Sequence, residues 1–154
     1  MLTRVFRAIY RVWVSLMTLA VVVQIGFAGY GAFDTADKAD GGTLSEDSFE
    51  DSFGPHIGLG YLILFSSFIL LLLSFGARGK QRILRSAAAF VLIFIQIILG
   101  ENGTSAPYAL GALHPINAFI ILGLLGSITY REWWVERRAS VEPALAPTGF
   151  RWSG

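Results

Sequence analysis

Two histidines are the only imidazoles in this 154-residue chain, and they stand in matching surroundings. "HIGLGYLIL" from His56 and "HPINAFIIL" from His114 align without a gap: His on His, Gly60 on Ala118, Tyr61 on Phe119, "LIL" on "IIL". Upstream, "VVVQIGFAG" around Gln24 and "IFIQIILGENG" around Gln96 each set a glutamine shortly before the end of an apolar run. An imidazole held among apolar side chains costs free energy unless something satisfies it. A metal centre is a partner that two imidazoles can share, and the residue inventory selects among centres. Cysteine is absent, which excludes disulfides, thiolate zinc sites, iron–sulfur clusters, thiol catalysis and heme attached through C-x-x-C-H. Zinc or copper usually takes three or four donors; there is no third histidine and no carboxylate inside the apolar runs, and Met1 and Met17 fall at the opposite end. Heme needs only two, because the porphyrin supplies the four equatorial nitrogens, and axial His ligation leaves a low-spin, filled iron suited to one-electron transfer. The reading is one noncovalent heme b (bis-His), with His56 and His114 as metal ligands.

Three further residues belong to this expected cofactor site. Pro115 inside a helix would clash with the carbonyl of Gly111 and leave that acceptor free, so a kink is expected at His114. Gly111 would ease the bend and admit a large flat ligand, Gly60 would allow the same close approach on the other helix, and Asn117, one turn below His114, would satisfy a freed carbonyl or orient the imidazole. Gln24 and Gln96 read as interhelical hydrogen-bond glue. No phosphate loop, nucleophile elbow or paired intramembrane carboxylates are present, so hydrolase, ATPase and proton-pump chemistry has no residues to use, and nothing points to nucleic acid.

The elements that must position these residues are membrane-spanning. The chain is 54% hydrophobic and 15% charged, and several separate runs approach the roughly 18 to 20 apolar residues that cross a hydrocarbon core. Four helices are expected, at about 10–32, 55–76, 83–100 and 108–130, in one domain over 1–138: an all-α, integral membrane, up-down four-helix bundle built from two repeated hairpins. An acidic outer loop covers 33–54, with a short interfacial helix allowed around Phe49 and Phe53, and 139–154 reads as a flexible cytoplasmic tail. The third span is the shortest, with an unbroken apolar run only from Ala87 to Leu99. In an up-down bundle the second and fourth helices run in the same direction on a diagonal, and each carries its histidine near the outer end.

Charge sets the expected orientation. Arg4, Arg7 and Arg11 precede the first span, Arg78, Lys80, Arg82 and Arg85 join the second to the third, and Arg131, Arg137 and Arg138 follow the fourth. The opposite end carries Asp34, Asp37, Asp40, Glu46, Asp47, Glu50, Asp51 and Glu101 against Lys38. The positive-inside rule then puts both termini in the cytoplasm and both acidic connections outside, with Tyr130, Trp133 and Trp134 in the inner aromatic belt.

"PYALGALHPINAFIIL", "FGPHIGLGYLIL" and the four-span plan with a polar outer loop resemble a family of small prokaryotic membrane proteins, the domain of unknown function numbered 6220, over about residues 8–130. The most specific pieces are His56 and the segment Leu113-His114 with Asn117 and Ala118; Pro115 stands where that pattern has glycine. The repeated hairpin is also similar to one half of heme A synthase, whose histidines at the outer ends of alternate helices ligate heme. That resemblance implies heme more than it implies the synthase reaction. Glu101 is the only acidic residue near the outer helix end of the second hairpin, and it reads as a solvated loop residue.

The functional expectation is thus a multi-pass protein of the prokaryotic inner membrane, in the lipid bilayer, that binds one heme near the outer face and serves electron transfer or heme handling with a membrane redox partner. The competing class is a non-catalytic structural subunit of a larger membrane complex, its histidines bonded to backbone, lipid headgroups or a pigment. An oxidoreductase acting on heme or quinone is a third reading.

Overall fold

The computed structural model describes residues 1–102 and 109–135 of the chain. Four α-helices, α1 (Leu2–Asp40), α2 (Glu46–Ala77), α3 (Lys80–Asn102) and α4 (Ala109–Tyr130), are followed by a π-helical turn at Arg131–Val135. All four are long and apolar enough to cross a membrane. Each packs against its neighbours in sequence, and α4 closes the ring against α1. α2 and α4 therefore lie on one diagonal of an all-α, up-down bundle. Tyr108, the expected start of the fourth span, and the expected tail over 139–154 lie outside the described residues.

The interior is a set of stripes with alternating steps of four and three residues, the spacing that keeps one seam of a helix facing its partners. On α1 the stripe is Tyr10, Val14, Met17 and Val21; on α2 Ile63, Ser67, Leu70, Ser74 and Ala77; on α3 Arg82, Ser86, Ala89 and Ile93; on α4 Ile121, Leu125 and Ile128, continued by Glu132. Ser67 and Ser74 donate to the carbonyls of Leu64 and Leu71, each at 2.6 Å, so the small side chains bring helices close without leaving a polar atom unpaired. Large apolar side chains such as Leu16, Leu19, Phe65, Leu72, Phe94 and Phe119 point outward instead. That pattern suits lipid, where a helix gains nothing by hiding leucine and must close its backbone bonds within itself.

The hairpins differ in length. With 39 and 32 residues, α1 and α2 rise about 58 and 48 Å, whereas α3 and α4, with 23 and 22, rise about 34 Å, close to a hydrocarbon core of about 30 Å. The stretch over 33–54, expected as a loop, is helical except around 41–45, and the segment around Phe49 and Phe53 is the first part of α2 rather than a separate helix. Local chemistry explains this. Ser45 caps α2 by accepting from the Ser48 N–H, and the Ser48 side chain accepts from the Ser45 N–H in return. Lys38 pairs with Asp34 one turn earlier at 2.7 Å and donates to Ser52 Oγ across the hairpin at 2.9 Å, while buried Ser52 donates to Asp34 at 2.5 Å. The Lys38 and Ser52 hydrogen bonds, in that order, hold the Asp34 carboxyl below its ordinary range.

At the basic end Arg78 and Gly79, both at positive φ, make the turn from α2 into α3. Arg82 was expected in a loop and is instead buried in α3, bonded through two nitrogens to the Glu132 carboxylate at 2.7 and 3.1 Å. Beside that pair Tyr10 and Ser86 share a buried hydrogen bond of 2.9 Å. Trp133, expected in the aromatic belt, turns inward: its indole donates to Ser15 at 2.9 Å and the Arg11 guanidinium lies 5.1 Å from its ring. Tyr130 and Trp134 stay exposed and stack on one another.

Candidate functional site

Each hairpin builds the same junction at the acidic end. Gln24 on α1 donates through Nε2 to the main-chain carbonyl of His56 on α2 at 2.7 Å, and Gln96 on α3 donates through Nε2 to the carbonyl of His114 on α4 at 3.0 Å. A helical carbonyl has a second lone pair after accepting from the backbone, and a glutamine on the neighbouring helix uses it here. The duplicated contact fixes both histidines at one height. Their rings meet across the diagonal, with centroids 6.0 Å apart and planes inclined at 57°.

Pro55 lies ten residues into α2 rather than in its first turn, so it immediately precedes one histidine inside a helix, while Pro115 immediately follows the other. Each lacks the N–H that would close a bond four residues back, at Asp51 and Gly111 respectively. Gly111 itself sits half-buried in the first turn of α4.

The two imidazoles have different neighbours. His56 Nδ1 lies 3.1 Å from the main-chain carbonyl of Gln24; a carbonyl only accepts, so Nδ1 carries a proton toward it. Phe53 meets the same ring edge-on at 6.2 Å and lies against Gly31, where a Cβ would come within 2.8 Å of the Phe53 ring. His114 packs on Gly100, where a Cβ would come within 3.1 Å of Cε1. Its Nδ1 is buried and finds no hydrogen-bond partner among the described residues.

The other expected site residues support the glutamines. Asn117, buried, donates to the Leu92 carbonyl at 2.9 Å and to Gln96 Oε1 at 2.7 Å, so its amide secures Gln96. The equivalent position in the first hairpin is Leu59, and Gln24 Oε1 is buried with no partner among the described residues. Gly60 leaves room for the Gln24 amide, 3.2 Å from where its Cβ would stand. Gly100 went unnoticed in the sequence; its signal was a small residue four places after each glutamine, Ala28 in one copy and Gly100 in the other. Glu101 belongs to the last turn of α3 rather than to a loop and accepts from Tyr61 of α2 at 2.5 Å, an exposed brace beside the site.

Two imidazoles bonded to one metal between them, at about 2 Å per metal–nitrogen bond, hold their ring centroids roughly 6 Å apart. With that spacing, His56 and His114 would be the residues to hold such a metal group, and a heme there would supply a one-electron couple. Among the described residues no three His, Asp or Glu side chains gather as they would around zinc. No family model, curated protein or solved structure matches this chain.

Proposed function

We propose that this chain is a multi-pass membrane protein that holds one b-type heme between His56 and His114 and serves one-electron transfer or heme handling. The observation that carries the reading is the 6.0 Å approach of the only two imidazoles from diagonal helices. Both rings are half-buried, and an imidazole held away from water is stabilised by a polar partner. When bound, the group supplies a one-electron couple. The chain's own residues do the rest. His56 and His114 bind, and the Gln24 carbonyl keeps the proton on Nδ1 of His56 so that Nε2 is the donor. Gln24 and Gln96 pin the backbone beneath each ring, and Phe53 covers His56. A redox partner in the membrane would complete the path.

The orientation proposed has both termini in the cytoplasm and the histidines near the outer face of a prokaryotic cell membrane. Its support is the segregation of Arg and Lys at one end of the bundle and Asp and Glu at the other.

Purification in detergent and a reduced-minus-oxidised spectrum test the function. A low-spin b-type α band, lost in both His56→Ala and His114→Ala, is the expected result. A colourless, stably folded protein overturns it in favour of a structural subunit of a larger membrane complex.

A further inference from the structure

The junctions at the two histidines are copies in outline and opposites in detail. In the first, the ring nitrogen is satisfied and the glutamine oxygen is not; in the second, Asn117 satisfies the glutamine oxygen and the ring nitrogen is left without a partner among the described residues. A hydrogen bond from the non-ligating nitrogen fixes the orientation of an imidazole and raises its basicity as a ligand. His56 has that bond and an aromatic buttress; His114 has neither, and rests on the bare backbone of Gly100.

The helices add an independent difference. His56 is the eleventh residue of α2, in a hairpin braced by the Asp34, Lys38 and Ser52 contacts. Pro55 and Pro115 each remove one backbone bond beside a histidine, but among the described residues only the first hairpin carries such a brace. A segment with fewer cross-links to its neighbours opens at lower free energy.

We propose that the two axial ligands are unequal, His56 the permanent one and His114 the exchangeable one, so that a small neutral ligand such as carbon monoxide enters on the His114 side. This rests on the heme reading above. In the exchange the bond from iron to the His114 nitrogen breaks and an iron–carbon bond forms. The imidazole leaves neutral, with no electron or proton transferred.

The test compares heme content and carbon monoxide uptake of the dithionite-reduced, full-length protein with His114→Ala, His56→Ala and Gly100→Ala, each checked for helix content and monodispersity. His114→Ala is expected to retain heme in a high-spin form that takes up carbon monoxide at once, and His56→Ala to lose heme. Gly100→Ala, which drives a Cβ against the His114 ring, is expected to keep heme and speed carbon monoxide uptake about tenfold, within the usual reach of changes around a metal ligand. The inference is overturned if His56→Ala retains heme where His114→Ala loses it, if both variants behave alike, or if Gly100→Ala leaves uptake unchanged. A wild-type protein without a b-type spectrum removes the heme reading itself, a result distinct from any of these.

Discussion

Gln96 Nε2 sits 3.0 Å from the main-chain carbonyl of His114, a contact that Gln24 reproduces at 2.7 Å on His56. Two helices in lipid gain little from burying leucine against each other, so a directional bond of this kind decides their register. It also ties each histidine to the helix before it.

Replacing the two glutamines by leucine is expected to separate their roles. Gln96→Leu removes the bond to His114 and strips Asn117 of one acceptor, at a cost of about 1 kcal/mol. Gln24→Leu loses its bond to His56 but also removes a buried, unpartnered oxygen, so its cost is smaller. Thermal unfolding of the two variants in one detergent reads the order directly.

The Arg82–Glu132 pair is buried on both sides, at 8% and 3% exposure, so a lone charge left behind would have little water to solvate it. Arg82→Met or Glu132→Met alone is expected to cost about 3 to 5 kcal/mol, and the two together far less than the sum. A double-mutant cycle followed by thermal unfolding checks this; additive losses would show that the pair is not coupled.

Acid is expected to loosen the tip of the longer hairpin before the rest. Lys38 and Ser52 hold the Asp34 carboxyl below its ordinary value of 3.8, so the stabilisation is present above that pH and is lost as pH falls through the lowered folded-state value. Protection of the amides across residues 34–52, relative to their intrinsic exchange rates, should fall below about pH 4, and Asp34→Asn should lower that protection at neutral pH while removing its acid dependence.

Gly31→Ala tests the support behind His56. The new Cβ would come within 2.8 Å of the Phe53 ring, which must shift, at an overpacking cost of about 1 to 3 kcal/mol. In a Phe53→Ala background the same change is expected to be nearly neutral, and unfolding temperatures of the four proteins decide it.

Much of this arrangement is legible from residue order alone. Four apolar runs, the segregation of charge and the duplicated glutamine–histidine spacing suffice for a bundle with two level histidines, because lipid leaves the backbone few alternatives. The helical course of 33–54 was hidden because its stability comes from cross-hairpin bonds of Lys38 and Ser52, which no local pattern announces. Arg82 reads as a loop charge by composition, although it continues a buried stripe in register with Ser86, Ala89 and Ile93, and Glu132, which no motif singles out, likewise continues Ile121, Leu125 and Ile128. Asn117 was placed beside the imidazole because it lies one turn away; the choice of Gln96 as its partner depends on the rotation of α3, which sequence spacing does not reveal.

Joining the two hairpins in a single polypeptide has an outcome that a dimer of identical hairpins could not reach. Rotational symmetry would oblige both halves to change together, so that any asparagine supporting one glutamine would support the other. Covalent fusion lifts that obligation: position 117 is asparagine while its counterpart at 59 stays leucine, and the two glutamine–histidine junctions are free to specialise.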